Sequence, residues 1–280
     1  MKSKVVIFGA GGTGQRVYNL IKDEVNVLGF VDNDPEKWGS SYDSKIIMNP
    51  KKLCELEYDI IVMGTLMGLE EVKNQLENYG VPNSKLDKTY VEISVKARIL
   101  FLKRFAERVY KEKIEGAVAE AGVFRGEFAK QINKFFADRN CYLFDTFEGF
   151  DERDYKYEEQ DSMTTNVGHF KETSEKIVLA KMPYKEKCII KKGYFPESIG
   201  VLKDDKFAFV NLDMDLYQPT LEGLRYFYPK MDEGGIILVH DYFSEVFPNV
   251  EIAVNDFEKE LGCRLKKIPI GDDISMAIVK

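Results

Sequence analysis

The sequence predicts an α/β chain with parallel strands, organised as two Rossmann-like units. Three observations carry this. Short β-branched apolar runs alternate with helical stretches along the whole chain, the pattern of repeated βαβ units. A glycine cluster twice follows a strand-like run, at Gly9 and again at Gly122. The 280 residues, at roughly 150 residues per domain, leave room for two domains.

The first series opens with a strand expected at Lys4–Gly9, and further strands are expected at Val25–Val31 and Tyr58–Met63. Helices are expected between and after them, near Thr13–Lys22 and Leu69–Tyr79. Gly80-Val81-Pro82-Asn83-Ser84 then reads as a turn. A longer amphipathic helix is expected over about Val95–Lys111, with Ile99, Leu102, Phe105, Ala106 and Val109 as its apolar positions. The boundary is placed near residue 90, giving units 1–90 and 91–280. The second series restarts with a strand at Gly116–Glu120, a glycine turn, and a helix through Phe136. Strands follow at Cys141–Phe144, Lys187–Ile190, Phe207–Leu212 and Gly235–Val239. Arg264–Ile268 with Ile274–Val279 resembles a closing β-hairpin. Asp151–Asp161 is polar, acidic and turn-rich, which reads as a mobile surface loop or an active-site lid.

Composition narrows the function classes. Hydrophobic residues make up 44% and charged residues 31%, which suits a globular chain and not a disordered one. A formal charge of -7 disfavours a general phosphate-backbone binder, so nucleic acid is not an expected partner. The longest apolar runs, such as Gly234–Val239, are too short to span a membrane. Met1-Lys2-Ser3-Lys4 leads straight into a strand without a signal-peptide pattern, and a cytoplasmic location is expected. The four cysteines are scattered without a Cys-x-x-Cys pair and read as buried free thiols. With only His169 and His240, a zinc site built on several histidines is excluded.

Gly9-Ala10-Gly11-Gly12-Thr13-Gly14 fits G-x-G-x-x-G between a strand and a helix. Gly9 permits the tight turn, Gly11 lets backbone approach a phosphate, and Gly14 allows close helix–strand packing. The helix N-terminus offers free N–H groups and a positive dipole end to an anion. Asp32 and Asp34 follow the second strand, where a carboxylate can bond ribose hydroxyls. The competing reading is that the glycines only shape the turn of a ligand-free domain. VVIFGAGGTGQRVYNLI with LGFVDNDPEKWG resembles the N-terminal domain of bacterial sugar O-acyltransferases, over about residues 3–90. The resemblance implies nucleotide or nucleotide-sugar binding at Gly11, Gly12, Thr13 and Asp32. No hexapeptide repeat follows, so acetyl transfer is not implied.

The second cluster, Glu120-Ala121-Gly122-Val123-Phe124-Arg125-Gly126, places an acid at a strand end before a wide glycine turn. S-adenosyl-L-methionine (SAM) carries an amino-acid moiety and a sulfonium but no phosphate. Its site needs room and carboxylates, not a pyrophosphate cradle. Asp145 ends the next strand, with Thr146 beside it, placed to accept from both ribose hydroxyls. Gly193-Tyr194-Phe195 offers aromatics to an adenine pocket. A third constellation joins Asn211-Leu212-Asp213-Met214-Asp215-Leu216-Tyr217 to His240-Asp241-Tyr242, both on the carboxyl edge of an open sheet, where ligands bind. Clustered carboxylates repel unless a cation or proton sits between them. A hard divalent ion resolves this, and lowers the pKa of a bound hydroxyl. Asp215 is expected to cap the helix that follows.

EGAVAEAGVFRGEFAK, YLFDTFEGF, KKGYFPES and NLDMDLYQPTLEGLRYFYPKMDEGGIILVHDYF together resemble the macrocin O-methyltransferase family, over about residues 95–280. Those are SAM- and Mg²⁺-dependent enzymes that methylate sugar hydroxyls of antibiotics and related glycosides. The resemblance implies a seven-strand sheet with its last strand antiparallel. It implies SAM contacts at Glu120, Gly122, Val123, Gly126 and Asp145. It also implies Mg²⁺ ligands at Asp213, His240 and Asp241, with Asp213 doubling as proton acceptor. The family commonly has Asp-Asp-Tyr where this chain has His240-Asp241-Tyr242. Imidazole is a poorer Mg²⁺ ligand than carboxylate, so His240 stands equally as ligand and as general base. His169, beside the acidic loop, is expected to be exposed or to cap a helix. Methylation of a nucleotide-linked or glycan-linked sugar is thus the expected activity, with a homo-oligomer among the expectations because such enzymes are often oligomers. The rivals are an NAD-dependent oxidoreductase and a non-catalytic nucleotide-sugar-binding protein, each using the first glycine turn.

Overall fold

The computed structural model describes residues 2–65, 68–158 and 170–280. His169 and the end of the expected lid at 159–161 lie outside them. The chain forms two compact units, Met1–Lys96 and Ala97–Lys280, dividing a few residues beyond the expected boundary.

The first unit is a six-stranded mixed sheet. Its strands are β1 (Lys4–Phe8), β2 (Asn26–Val31), β3 (Ser41–Tyr42), β4 (Lys45–Met48), β5 (Ile60–Met63) and β6 (Leu86–Asp87), with helices α1 (Gly12–Ile21) and α2 (Leu69–Asn78). The order is β3-β4-β2-β1-β5-β6. β1 is parallel to both β2 and β5, and its side chains feed two cores. Val5 and Ile7 pack with Val17, Tyr18 and Ile21 of α1, while Val6 and Phe8 pack with Val72 and Leu76 of α2. A central parallel strand buried on both faces has this all-apolar reading. The β3–β4 hairpin was not expected. It turns through Asp43 and Ser44, both at positive φ, in place of the glycine that usually marks such a turn.

Helix α3 (Thr89–Glu112) begins earlier than expected. Val91 is buried in the first unit's core, and Leu102, Phe105, Ala106 and Val109 belong to the second unit's core.

The second unit has the seven expected strands: β7 (Ala117–Ala121), β8 (Cys141–Asp145), β9 (Cys188–Lys192), β10 (Phe207–Leu212), β11 (Met231–Val239), β12 (Lys266–Pro269) and β13 (Met276–Val279). Helices α4 (Glu127–Phe135), α5 (Glu175–Lys181), α6 (Tyr217–Phe227) and α7 (Asn249–Leu261) complete it. The order is β12-β13-β11-β10-β7-β8-β9, with β13 antiparallel to β11 as expected. β8 lies on one side of β7 and β10 on the other, so the strand order reverses at β7. The crevice at that reversal is where open α/β sheets bind ligands.

Small residues on one face of β7 (Ala117, Ala119, Ala121) leave room for aromatics in the layer against α6 and α7. Phe227 lies 5.1 Å from Phe207, 5.7 Å from Phe144 and 5.9 Å from Phe195, ring centre to ring centre. Phe195 is therefore a buried member of this core layer. The acidic segment is likewise less exposed than expected: residues Glu152–Tyr157 form a short 3-10 helix, and Asp154 is buried. The expectation of buried cysteines holds only for Cys141; Cys54 and Cys263 are exposed, Cys188 is half-buried, and all four are free. No helix among the described residues is long and apolar enough to cross a membrane.

Phe227→Ala removes the ring at the centre of this aromatic layer. It is expected to lower the free energy of unfolding by about 3–5 kcal/mol, read from urea denaturation. A loss below about 1 kcal/mol would show that the layer does not hold the sheet to α6.

Candidate active site

At the carboxyl edge of β7, Gly122 sits at φ +82°, and a Cβ there would lie 1.8 Å from the carbonyl oxygen of Asp213. Glycine is required here because the ends of β7 and β10 approach this closely. Gly126, at φ +77°, caps α4, and its Cβ would meet Val178 and Met182 side chains at 3.0 and 3.2 Å. Val123 is buried in the core.

Asp145 braces that turn. Its Oδ2 accepts from the Val123 and Phe124 N–H groups, both at 2.8 Å, and its Oδ1 accepts from Phe147 N–H at 2.6 Å. Burial pushes its pKa up, against those three bonds. Both carboxylate oxygens thus hold the turn's backbone, with about one of four acceptor sites left for a further donor. Thr146 shapes the next turn, its Oγ1 donating to the Gly149 carbonyl at 2.7 Å. Tyr194 donates to Asp154 Oδ1 at 2.7 Å, beneath the Arg153 guanidinium 3.6 Å above its ring. Burial raises the pKa of Asp154 to about 6, and that of Tyr194 is raised by burial and by this bond.

The first unit's turn has the geometry its motif predicts. Gly9 lies at φ +100°, and a Cβ on Gly14 would lie 1.9 Å from the Gly9 carbonyl oxygen. A Cβ on Gly11 would meet nothing within 4 Å among the described residues. Gly12 opens α1, and Thr13 Oγ1 accepts from Arg16 at 3.3 Å. Asp32, buried, accepts from Ala10 N–H at 2.7 Å and Lys37 Nζ at 3.3 Å on Oδ2, and from Asp34 N–H at 2.9 Å on Oδ1. Like Asp145, it holds its glycine turn in shape.

The third constellation does converge. Leu212 and Val239 are partners in the β10–β11 register, so Asp213 and His240 leave adjacent strand ends side by side. Asp213, His240 and Asp241 each offer one ligand atom, all within 4.8 Å of one another. His240 Nδ1 lies 3.0 Å from Asp213 Oδ1 and closer still to Asp241 Oδ2. Burial and Arg98 push the His240 pKa down, but Asp213 and Asp241 outweigh them and bring it to about 10. Burial pushes Asp213 up, while His240 and Arg98 together hold it well below the usual carboxylate range. Asp215 does not cap α6: the capping position is Leu216, without a side-chain bond. Asp215 instead lies at φ +63°, its pKa raised by burial and by the charges of Asp241 and Asp213.

Arg98, which the sequence reading passed over, and Asn211, given no role there, complete the site. Arg98 of α3 donates from Nη2 to Asp213 Oδ2 at 2.9 Å and to Asn211 Oδ1 at 3.0 Å. Asn211 Nδ2 donates to Glu120 Oε1 at 2.9 Å. Glu120 Oε2 is buried without a partner among the described residues. Burial, and then the Asp213 charge, raise the Glu120 pKa to about 8. Asn211 was visible as one polar residue inside an apolar run; Arg98 carried no signal within its helix.

A family model described as macrocin O-methyltransferase (TylF) matches residues 70–271. The chain belongs to the macrocin O-methyltransferase family. Mycinamicin III 3''-O-methyltransferase of Micromonospora griseorubida is 24% identical over 182 residues, covering 59% of this chain and 69% of that one. Demethyldecarbamoylnovobiocin O-methyltransferase of Streptomyces niveus is 23% identical over 215 residues, covering 73% and 79%. The solved structure of the O-methyltransferase NovP aligns with a TM-score of 0.54 at 22% identity, over 66% of this chain and 79% of that one, and bears on the fold alone. A separate model, described as C2185-like, N-terminal, matches residues 1–86.

For this O-methyltransferase without metal, the site sets the pH dependence of stability. Glu120, raised from 4.5 to about 8, binds its proton more tightly folded than unfolded, so stability falls as pH rises through that window. His240, raised from 6.5 to about 10, contributes stability that is complete below 6.5 and lost towards 10. Both signs agree. The metal-free protein is expected to melt at lower temperature at pH 9.5 than at pH 6.5, and Glu120→Gln to flatten the lower part of that decline. An equal or higher melting temperature at pH 9.5 would contradict both assignments.

Proposed function

We propose that the protein transfers the methyl group of SAM to a hydroxyl of a sugar-containing substrate, with a divalent cation at Asp213, His240 and Asp241. The observation that carries this is the adjacency, at the strand reversal, of the Glu120–Gly122 turn and the acid cluster. Family membership supports the reaction, and two of the relatives named above are by name O-methyltransferases of mycinamicin III and demethyldecarbamoylnovobiocin. The nucleotide-linked or glycan-linked nature of this chain's own sugar is part of the proposal.

The donor set suits a divalent ion: two carboxylates and an imidazole, one atom each, within 4.8 Å. The imidazole favours manganese or another transition metal more than Mg²⁺. Such an ion would lower the pKa of a coordinated substrate hydroxyl. Asp213, held deprotonated, is the acceptor for that hydroxyl's proton, and Asp241 fixes the ring of His240 as a second polar contact. Glu120 faces the donor side. A cationic ligand next to its unpartnered oxygen favours the carboxylate, which is the charge an amino-acid moiety with a sulfonium needs. The braced turn keeps donor and acceptor in one place, and positioning supplies most of the acceleration of a methyl transfer. In the first unit, the open space at Gly11 ahead of α1 supports a nucleotide or nucleotide-sugar contact at Gly11, Gly12 and Thr13. A cytoplasmic setting, which free thiols suit, belongs to the same reading.

Asp213→Asn is expected to reduce methyl transfer by at least about 10²-fold while calorimetry shows SAM affinity nearly unchanged. EDTA should produce a loss of the same order in the unaltered protein. Full turnover in either case would remove the acid cluster from the reaction, and absence of SAM binding would remove the reaction itself. Asp145→Ala is expected to weaken SAM binding through the loosened turn; undiminished SAM affinity would show that the brace does not form part of the cofactor site.

A further inference from the structure

We propose that Arg98 is a built-in counter-cation of the acid cluster, and that it sets how tightly the cluster takes a divalent ion. This rests on the reading that Asp213, His240 and Asp241 hold such an ion. Arg98 enters from α3, outside the strand edge that supplies every other member. Its side chain is only 13% exposed, and its guanidinium lies 4.0 Å over the ring of Phe128. Packed in this way, it donates to Asp213 Oδ2 at 2.9 Å and to Asn211 Oδ1 at 3.0 Å. The other Asp213 oxygen faces His240 Nδ1 at 3.0 Å. Both oxygens of the central ligand are therefore already against donors.

Guanidinium stays charged at any pH the protein meets, so this is a fixed positive charge and not a switch. It has two opposed effects. It stabilises the Asp213 carboxylate among Glu120, Asp215 and Asp241, which would otherwise repel it. It also competes with an incoming cation for Asp213 Oδ2, and repels that cation across a short, poorly screened distance. Groups just outside a metal's ligands shift metal affinity by about 10–100-fold, ordinarily in the direction of tighter binding. A positive charge in that position reverses the sign. The asparagine link extends the effect, because the carboxamide that accepts from Arg98 also donates to Glu120.

The test is a calorimetric titration of the full chain with Mn²⁺ alone, without SAM or substrate. Arg98→Met keeps the aliphatic bulk over Phe128 and removes the charge. It is expected to bind Mn²⁺ about 10–100-fold tighter than the unaltered protein, while Arg98→Lys stays close to it. Arg98→Gln, which keeps a hydrogen-bond donor for Asn211, is read in the same way and serves if Arg98→Met does not fold. If the folded neutral variants bind Mn²⁺ no tighter, Arg98 only orients Asp213 and the proposal is overturned. Asp213→Asn separates the two levels. When it weakens Mn²⁺ binding and the Arg98 variants do not strengthen it, only the counter-cation proposal fails. When it leaves Mn²⁺ binding unchanged, the metal reading fails and the proposal goes with it.

Discussion

The approach of Gly122 to the backbone of Asp213 sets the geometry of the second unit's crevice. The Asp213 N–H donates to the Ala121 carbonyl at 2.8 Å, and Glu120 is the register partner of Asn211. The turn after β7 and the acid cluster after β10 are consequently one continuous piece of backbone hydrogen bonding. A side chain at Gly122 would have to push these strand ends apart. For a reaction governed by how closely two reactants are held, that matters, since misplacement by about 1 Å can cost about 10²-fold in rate.

Charge is balanced within the same few residues. Glu120, Asp213, Asp215 and Asp241 could not all ionise beside one another in a poorly solvated site. Arg98 and His240 supply two positive charges, and they sit on Asp213 and Asp241. The remaining pair, Glu120 and Asp215, are the two acids whose pKa values are raised. Two ion pairs and two acids with raised pKa values lower the negative charge of the metal-free cluster. His240 thus places a positive charge at the cluster's centre, between Asp213 and Asp241.

The sequence showed the seven strands of the second sheet, β1, β2 and β5 of the first, and the acids at strand ends because those signals are local. β-branched runs, glycines after a strand and a carboxylate at the strand's end lie within a few residues of each other. What it could not show was partner choice. Asp145 and Asp32 stand where a ribose acceptor is expected, yet each bonds a backbone N–H about twenty residues away. Arg98 reaches Asp213 across more than a hundred residues of chain, and nothing in the pattern of α3 sets it apart from a solvated arginine. Asp215 precedes a helix and so reads as a cap, but a left-handed backbone directs it towards the cluster. The β3–β4 hairpin escaped because Asp43-Ser44 adopts the positive φ values that glycine normally advertises.

The two units use one device twice, and the difference between them is electrostatic. In each, an acid ending the second strand accepts from the glycine turn after the first: Asp32 from Ala10, Asp145 from Val123 and Phe124. In each, the turn packs against the strand on the far side of the sheet reversal: Gly9 against Gly64, Gly122 against Asp213. Two residues before the first glycine, however, the second unit has Glu120 and the first has the buried Ile7. With no acid there, the positive end of α1 dominates the first turn and favours an anion. With Glu120 and its unpartnered oxygen, the second turn favours a ligand that carries positive charge. The same brace therefore stands in two different electrostatic settings, and one position in the preceding strand makes the difference.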